Sequence, residues 1–436
     1  MKLFQQMLVA SAALSLLAPV AAQASDINIE EIGTYVRKKS SSKKQKRLDS
    51  NSFSNDVAAN KQKLDGSAAQ FSQFEAGGFS DTTTFDGKAI MALGGIDGSK
   101  ELDDSHNDSV TFNTVYQVNL NTSFSGDDNL YIRLKGGEWA DEWKMKGSTY
   151  HIDAKDTGDA NGNIIFNVDK IWYTFPIGES FTATIGPKIE NYYMLAATPS
   201  VYKPGVLKAF KLGGHSSAFG ASTSTGAGLT YAADNGFATS ITVNSKGGSG
   251  VKGLLTEEDE SKVNTMVAYT ADQYHLSVTY SKQHNGWDHW SYFATTDAAS
   301  DSSIESADAY AFRAWWRPQE TGGTLPSVSL GYDVISFEGH DLARNASGYM
   351  VGFNWQDMFQ PDDRIGLAGG SALAIDTHVL GASDLEEMDP FLWEAYYSFR
   401  PNDSIEVRPG IFGGTNVEAD KDDDLFGGVI TTTFKF

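Results

Sequence analysis

The chain ends on DDDLFGGVITTTFKF (residues 422–436), and its last residue is Phe436. Phe426, Ile430, Phe434 and Phe436 share one phase of this stretch. Gly427, Thr431, Thr433 and Lys435 share the other, with Val429 as the exception. A period of two puts these sets on opposite faces of a strand, one apolar and one wet. Either the apolar face packs on a second sheet, or it faces lipid.

The same pattern recurs upstream. SVTFNTVYQVNLN (109–121) sets Val110, Phe112, Tyr116, Val118 and Leu120 against Thr111, Asn113, Gln117 and Asn119. After the turn SGDDN, Leu130, Ile132 and Leu134 alternate with Tyr131, Arg133 and Lys135. In AYAFRAWWRP (309–318), Tyr310, Phe312 and Trp316 oppose Arg313, Trp315 and Arg317. FLWEAYYSFRPNDSIEVRPGI (391–411) reads as a hairpin about Pro401-Asn402-Asp403. Its Trp393, Tyr397, Phe399, Ile405, Val407 and Ile411 oppose Glu394, Arg400, Glu406 and Arg408. These runs span roughly nine to eleven residues, the length that crosses a bilayer when tilted, whereas soluble strands average about five or six.

The connections fall into two classes. PIGES, ADNG and RPNDS are tight, and Asn235-Gly236 predicts a type I′ hairpin turn. GGIDGSKELDDSHNDS, GSTYHIDAKDTGDANGN and TTDAASDSSIESADA are long, acidic and rich in small residues. Short turns at one end and long loops at the other are the topology of an outer-membrane barrel. A soluble sandwich gives no reason for this segregation. The fold expected is therefore all-β: a transmembrane antiparallel β-barrel behind a short periplasmic tail. Roughly 350 residues at about 22 per strand and connection give about 16 strands. Aromatics at strand ends would form the interfacial girdles, and the wet face would line the lumen.

Composition agrees. The 436 residues carry 34 Lys+Arg against 56 Asp+Glu, a net charge of −22, which argues against duplex nucleic acid as a partner. There is no cysteine, so disulfides, thiolate nucleophiles and thiolate metal sites are excluded. Residues 1–24 read as an export signal: Lys2, an apolar run from Met7 to Val20, and the cleavage site Ala22-Gln23-Ala24. Residues 25–74 differ in character. YVRKKSSSKKQKR (35–47) holds seven cations from Arg37 to Arg47 and reads as a basic, mostly flexible segment. NSFSNDVAANKQKLDGSAAQFSQFEAGGF, beginning at Asn51, is expected to hold one short helix. Beyond Arg47 the remainder carries about −27. The barrel is assigned to 75–436. Read this way, Phe434 and Phe436 form a C-terminal assembly signal for the barrel-assembly machinery.

Several segments resemble cyanobacterial outer-membrane porins of the iron-uptake type, related to the carbohydrate-selective porins. They are MKLFQQMLVASAALSLLAPVAAQA, FSDTTTFDGKAIMAL, IWYTFPIGESFTATIGPKIENYYMLAATPSVY, AFRAWWRPQETGGTLPSVSLGYD, GYMVGFNWQDMFQPDDRIGLAGG and the C-terminal stretch. The resemblance covers roughly 1–24 and 75–436. It implies a water-filled channel for passive diffusion of small hydrophilic solutes and inorganic ions, iron among them, and it implies homotrimers. A carbohydrate-selective porin is the alternative, and a non-conducting structural or adhesin barrel a further one. Members of that family usually carry an S-layer-homology domain and a coiled coil before the barrel. Here 25–74 occupy that place, and Arg37–Arg47 would have to serve as the contact to anionic cell-wall polymer.

No catalytic constellation emerges, since no G-x-S-x-G accompanies the serines and histidines. His284, Asp288 and His289 lack zinc-helix spacing. Asp420, Asp422 and Asp424 lack the glycine and glutamate of a calcium loop. Neither group is assigned a metal, and no cofactor is expected. The site residues are instead those of a pore. The stretch Pro187–His215 shows no strand alternation and carries Lys188, Lys203, Lys208, Lys211 and His215. Folded into the barrel, it would narrow the lumen and set selectivity by charge. Arg133, Lys135, Arg313, Arg317 and Arg408, against Glu394 and Glu406, complete the expected lining. An acidic mouth would then stand over a basic throat.

Overall fold

The structure is a computed structural model. It describes residues 82–436 apart from 98–108, 140–142, 144–154, 156, 159–162, 215–217, 220–222, 248–252, 288–303, 340–342, 379–389 and 417–423. The export signal, the basic segment, the helix expected after Asn51 and the residues Asp288, His289, Asp420 and Asp422 lie outside the described residues.

Sixteen strands close into one antiparallel barrel. They are β1 (Thr83–Asp97), β2 (Thr111–Thr122), β3 (Asn129–Glu138), β4 (Asn167–Ile177), β5 (Phe181–Glu190), β6 (Thr223–Ala232), β7 (Phe237–Ser245) and β8 (Ser261–Thr270). They continue as β9 (Tyr274–His284), β10 (Ser306–Trp316), β11 (Ser327–Glu338), β12 (Ala343–Gln356), β13 (Arg364–His378), β14 (Phe391–Asn402), β15 (Ile405–Thr415) and β16 (Leu425–Lys435). Each strand pairs with its sequence neighbours, and β16 pairs with β1. The expected strand number and topology are observed. Strands run from nine residues in β7 to fifteen in β1 and β13, longer at the upper limit than alternation alone gives.

The turns segregate as expected. Connections 123–128, 178–180, 233–236, 271–273, 317–326, 357–363 and 403–404 lie at one end. The other end holds 98–110, 139–166, 191–222, 246–260, 285–305, 379–390 and 416–424, with 339–342 as a short exception. Two short-end turns use the same device. Asp128 Oδ1 accepts from the Phe124 and Ser125 amides at 2.9 and 2.7 Å, and the Tyr173 hydroxyl donates to its Oδ2 at 2.6 Å. Asp363 accepts from the Met358, Phe359 and Gln360 amides and from the Tyr397 hydroxyl. The Asn235-Gly236 turn differs from expectation. Only Gly236 takes a positive φ (92°), and its amide donates to the Ala233 carbonyl at 3.2 Å. The Ala233 amide donates to Phe237, so the turn is a three-residue loop with a bulged glycine rather than type I′.

The outer face is apolar. Phe112, Phe181, Ile185, Phe237, Ile241, Val267, Leu276, Phe312, Leu330 and Leu367 are exposed on it. Paired aromatics ring the short-turn end: Tyr173–Phe175, Phe181–Tyr231, Tyr269–Tyr274, Phe353–Trp355 and Tyr397–Phe399. Rings at this level are the interfacial girdle of a membrane barrel, apolar in body and wet at the tip.

The seam between β1 and β16 accounts for the terminal aromatic in structural terms. The Phe436 amide donates to the Gly87 carbonyl at 3.1 Å, and the Gly87 amide returns the bond at 2.8 Å. The Phe436 ring lies over Gly87, where an added Cβ would stand 2.5 Å from it, and 6.3 Å from the Phe85 ring. Deleting Phe436 removes both bonds and this contact. Outer-membrane levels of the truncated chain, read by immunoblot of membrane fractions, are expected to fall while export is unchanged. Full insertion would show the residue to be dispensable.

Candidate functional site

The inner face does not simply read as wet. Ile90, Ala92, Val115, Leu392, Phe412 and Val429 point inward and are buried. They pack in one cluster with Trp139 and Trp143 and with Tyr202, Val206, Leu207, Ala209 and Phe210 of the connection between β5 and β6. The described part of that connection therefore folds into the barrel, with the side chains from Tyr202 to Phe210 against the wall formed by β12–β16 and β1 and with Ala218 and Phe219 on β10–β13. Val429, the exception to alternation in the last strand, is apolar because it sits beneath this packing.

Its path is fixed by successive anchors. Near its start the Ala196 amide donates to Ser240 Oγ at 3.2 Å, and Thr230 Oγ1 donates to the Met194 carbonyl at 3.2 Å. The Val201 and Tyr202 amides share Ser329 Oγ at 3.1 and 3.0 Å. The Lys203 amide donates to Asn354 Oδ1 at 2.9 Å, and the Tyr396 hydroxyl donates to the Lys203 carbonyl. Glu394 then takes four donors: the Tyr202 hydroxyl (2.7 Å) and Gly205 amide (2.8 Å) on Oε1, and the Val206 (2.8 Å) and Leu207 (2.6 Å) amides on Oε2. Near the end of the kinked 3₁₀ segment Lys208–Gly213, Arg313 Nε donates to the Leu212 carbonyl at 2.9 Å. The Arg313 guanidinium is held on both oxygens of Asp333 at 3.0 and 2.8 Å. The Gly213 backbone rests on Gly331, where a Cβ would approach the Gly213 carbonyl to 1.6 Å, so only glycine fits.

These contacts redistribute the expected lining residues. Glu394 and Arg313 face inward, as alternation indicated, yet they are 0% and 3% exposed and fasten the connection. Lys188 is part of β5, which continues to Glu190; it is exposed and donates to the Val168 carbonyl at 2.9 Å. The inserted stretch therefore begins after Glu190 rather than at Pro187. Arg317 is exposed just beyond β10, stacked 5.5 Å from Trp315 and bonded to the Asp272 carbonyl at 2.7 Å, at the short-turn rim rather than on the wall. Lys211 donates to the Tyr192 hydroxyl at 2.9 Å and lies over that ring. Lys208 and Lys135 are half-buried. His215 lies outside the described residues.

Arg133 crosses from β3 to the connection. Its Nε donates to Asn119 Oδ1 at 3.2 Å and its Nη2 to the Tyr193 hydroxyl at 3.4 Å. Beside it, Tyr131, Trp172, Ile189 and Met194 form a small apolar cluster. Arg408 donates to the Gly205 carbonyl at 3.4 Å and pairs with Glu406. Sequence reasoning missed Lys88, Lys170 and Arg364 as inward groups, and it set Lys435 on the wet face of the last strand without counting it among the lining residues. Lys170 is buried and pairs with Glu190. Lys203 is half-buried; burial first, then the Arg364 guanidinium, push its ammonium down to about 6.

A closed sixteen-stranded barrel with an apolar belt, segregated turns and an inserted connection defines an outer-membrane porin-type channel. The chain belongs to the family described as "Carbohydrate-selective porin, OprB family", whose profile matches residues 44–436. A relative in Nostoc sp. (strain PCC 7120), described as "Uncharacterized protein alr4550", is 24% identical over 417 residues, covering 88% of this chain and 70% of the relative. The solved structure described as "High pH structure of Pseudomonas putida OprB" superposes with a TM-score of 0.55 at 10% identity. It covers 81% of this chain and 94% of that one, a likeness of fold. Family and fold point to an outer-membrane channel rather than an enzyme.

Proposed function

We propose that the chain is exported by a cleaved signal and forms a water-filled pore for passive diffusion of small hydrophilic solutes and inorganic ions, iron among them. The inserted connection sets its size and charge. The observation that carries this reading is the anchoring of 191–222 across the inner wall, with Lys203, Lys208 and Lys211 on it. Barrels of this kind sit in outer-membrane lipid, are inserted by the assembly machinery and form homotrimers. The Arg37–Arg47 run is proposed to contact anionic cell-wall polymer.

Exposed acidic loops are screened over about 8 Å at physiological salt, whereas groups at a constriction are not. A modest anion preference is therefore expected at high salt, drifting toward cations as salt falls. Replacing Lys203, Lys208 and Lys211 together by Gln should move the reversal potential in a KCl gradient toward cation selectivity. A lysine with a depressed pKa is neutral above it and cationic below. The shift should therefore grow as pH falls through about 6, with Arg364, Arg400 and Lys435 opposing protonation of Lys203 and Glu406 favouring it. An unchanged potential would remove this segment from the constriction.

Carbohydrate entry is the second reading. The family description favours it, as do the half-buried rings of Tyr192 and Tyr193, stacked at the start of the connection against the buried Trp172. Liposome swelling in neutral sugars separates the two. Swelling rates that follow sugar identity at equal size would favour a sugar-selective pore.

A further inference from the structure

Five adjacent strands turn basic side chains inward near their short-turn ends. They are Arg364 on β13, Arg400 on β14, Arg408 on β15, Lys435 on β16 and Lys88 on β1, and Lys203 reaches the group from the inserted connection. Glu406 pairs with Arg408 and stands 3.7 Å from Lys435, and Asp362 stands 3.9 Å from Arg400. Asp86 shares the inward phase of β1 with Lys88 and accepts from Asn119 and Asn121. Basic groups outnumber these carboxylates.

Folding alone does not account for this arrangement. Lys88 and Lys435 are register partners directly opposite each other across the closing seam, and like charges so placed are destabilising. The Arg364 Nε is buried with no acceptor among the described residues. A guanidinium donor shielded from water and left without an acceptor costs free energy in the empty state. Guanidinium and ammonium groups gathered on one wall suit one kind of occupant, a small multivalent anion rich in acceptor oxygens. Guanidinium forks match the geometry of such oxyanions, and ammonium groups add point charge.

We propose that Arg364, Arg400, Arg408 and Lys435, with the Lys203 amine beside them as a further donor, form a binding site for a tetrahedral oxyanion, phosphate or sulfate, free or carried on a sugar ester. The inference rests on the channel reading, because the site lies on the wall of that lumen. Lys88 adds charge from across the seam. Glu406 holds Arg408 and Lys435 in place and also opposes the incoming anion, so its removal has a predictable sign.

The test uses the full-length protein folded in detergent. Binding of inorganic phosphate and of sulfate is measured by calorimetry, and their block of KCl current is measured in planar bilayers. Both oxyanions are expected to bind and to reduce the current, with chloride as the weak competitor. Arg364→Gln should weaken binding about tenfold or more, the loss expected for one charge-assisted donor. Glu406→Gln should tighten it, an outcome that a purely structural role does not give. Glucose 6-phosphate should bind comparably to free phosphate if the site reads the oxyanion group, while binding of the ester alone would overturn the proposal. Conductance without oxyanion binding would overturn the site and leave the channel reading standing. Binding without conductance would keep the site and refute the channel.

Discussion

Glu394→Gln is expected to unseat the inserted connection while leaving the barrel closed. All four groups around this carboxyl donate: one hydroxyl and three successive backbone amides. A glutamine amide keeps one acceptor oxygen and turns a donor toward two of them. At least two bonds to a charged acceptor are lost, each of roughly 1.5–3 kcal/mol, so the seat should weaken by about 4 kcal/mol. Single-channel conductance should rise and become noisy, and limited proteolysis should cut within 191–222. Alanine should act the same way, since it leaves the same donors unsatisfied. A glutamine variant with wild-type conductance and protease resistance would show that the seat is held elsewhere.

Asp333→Ala should be the most destabilising single change on the inner wall. The side chains of Arg313 and Asp333 are 0% and 1% exposed, and the fork is bonded through both oxygens. Removing one member of a buried pair leaves an uncompensated charge, at about 3–5 kcal/mol. Urea unfolding from liposomes should show a lower midpoint. An apolar pair, Arg313→Met with Asp333→Leu, should recover part of that loss, because desolvation of both charges disappears. If the single and double variants unfold alike, the pair carries no such weight.

Much of the fold was legible in the sequence because a bilayer imposes it. Lipid on one side enforces the alternation of β2, β10 and β14, and unequal loop lengths follow from two unlike aqueous compartments. The inserted connection was legible in outline, from a stretch whose pattern breaks down. Its anchors were not, because Glu394 pairs with residues almost two hundred positions away in the chain, as in its bond from Tyr202. Alternation reports which face a residue takes, not what covers it. Arg313 and Glu394 thus face inward, as alternation indicates, and the inserted connection covers them. The exception at Val429 carried more information than it first showed: with Val115, also apolar on the inner face, it marks the wall that the connection covers.

The seam has a temporal consequence. Gly87 and Phe436 belong to the first and last strands of the barrel, so the seam closes only after every other strand is available. Until then β1 and the most recently delivered strand present two open hydrogen-bonding edges beside greasy faces, the condition under which strands pair with the wrong neighbour. Contacts so distant in sequence also form slowly. A barrel closed in this way calls for both edges to be protected until β16 pairs with β1.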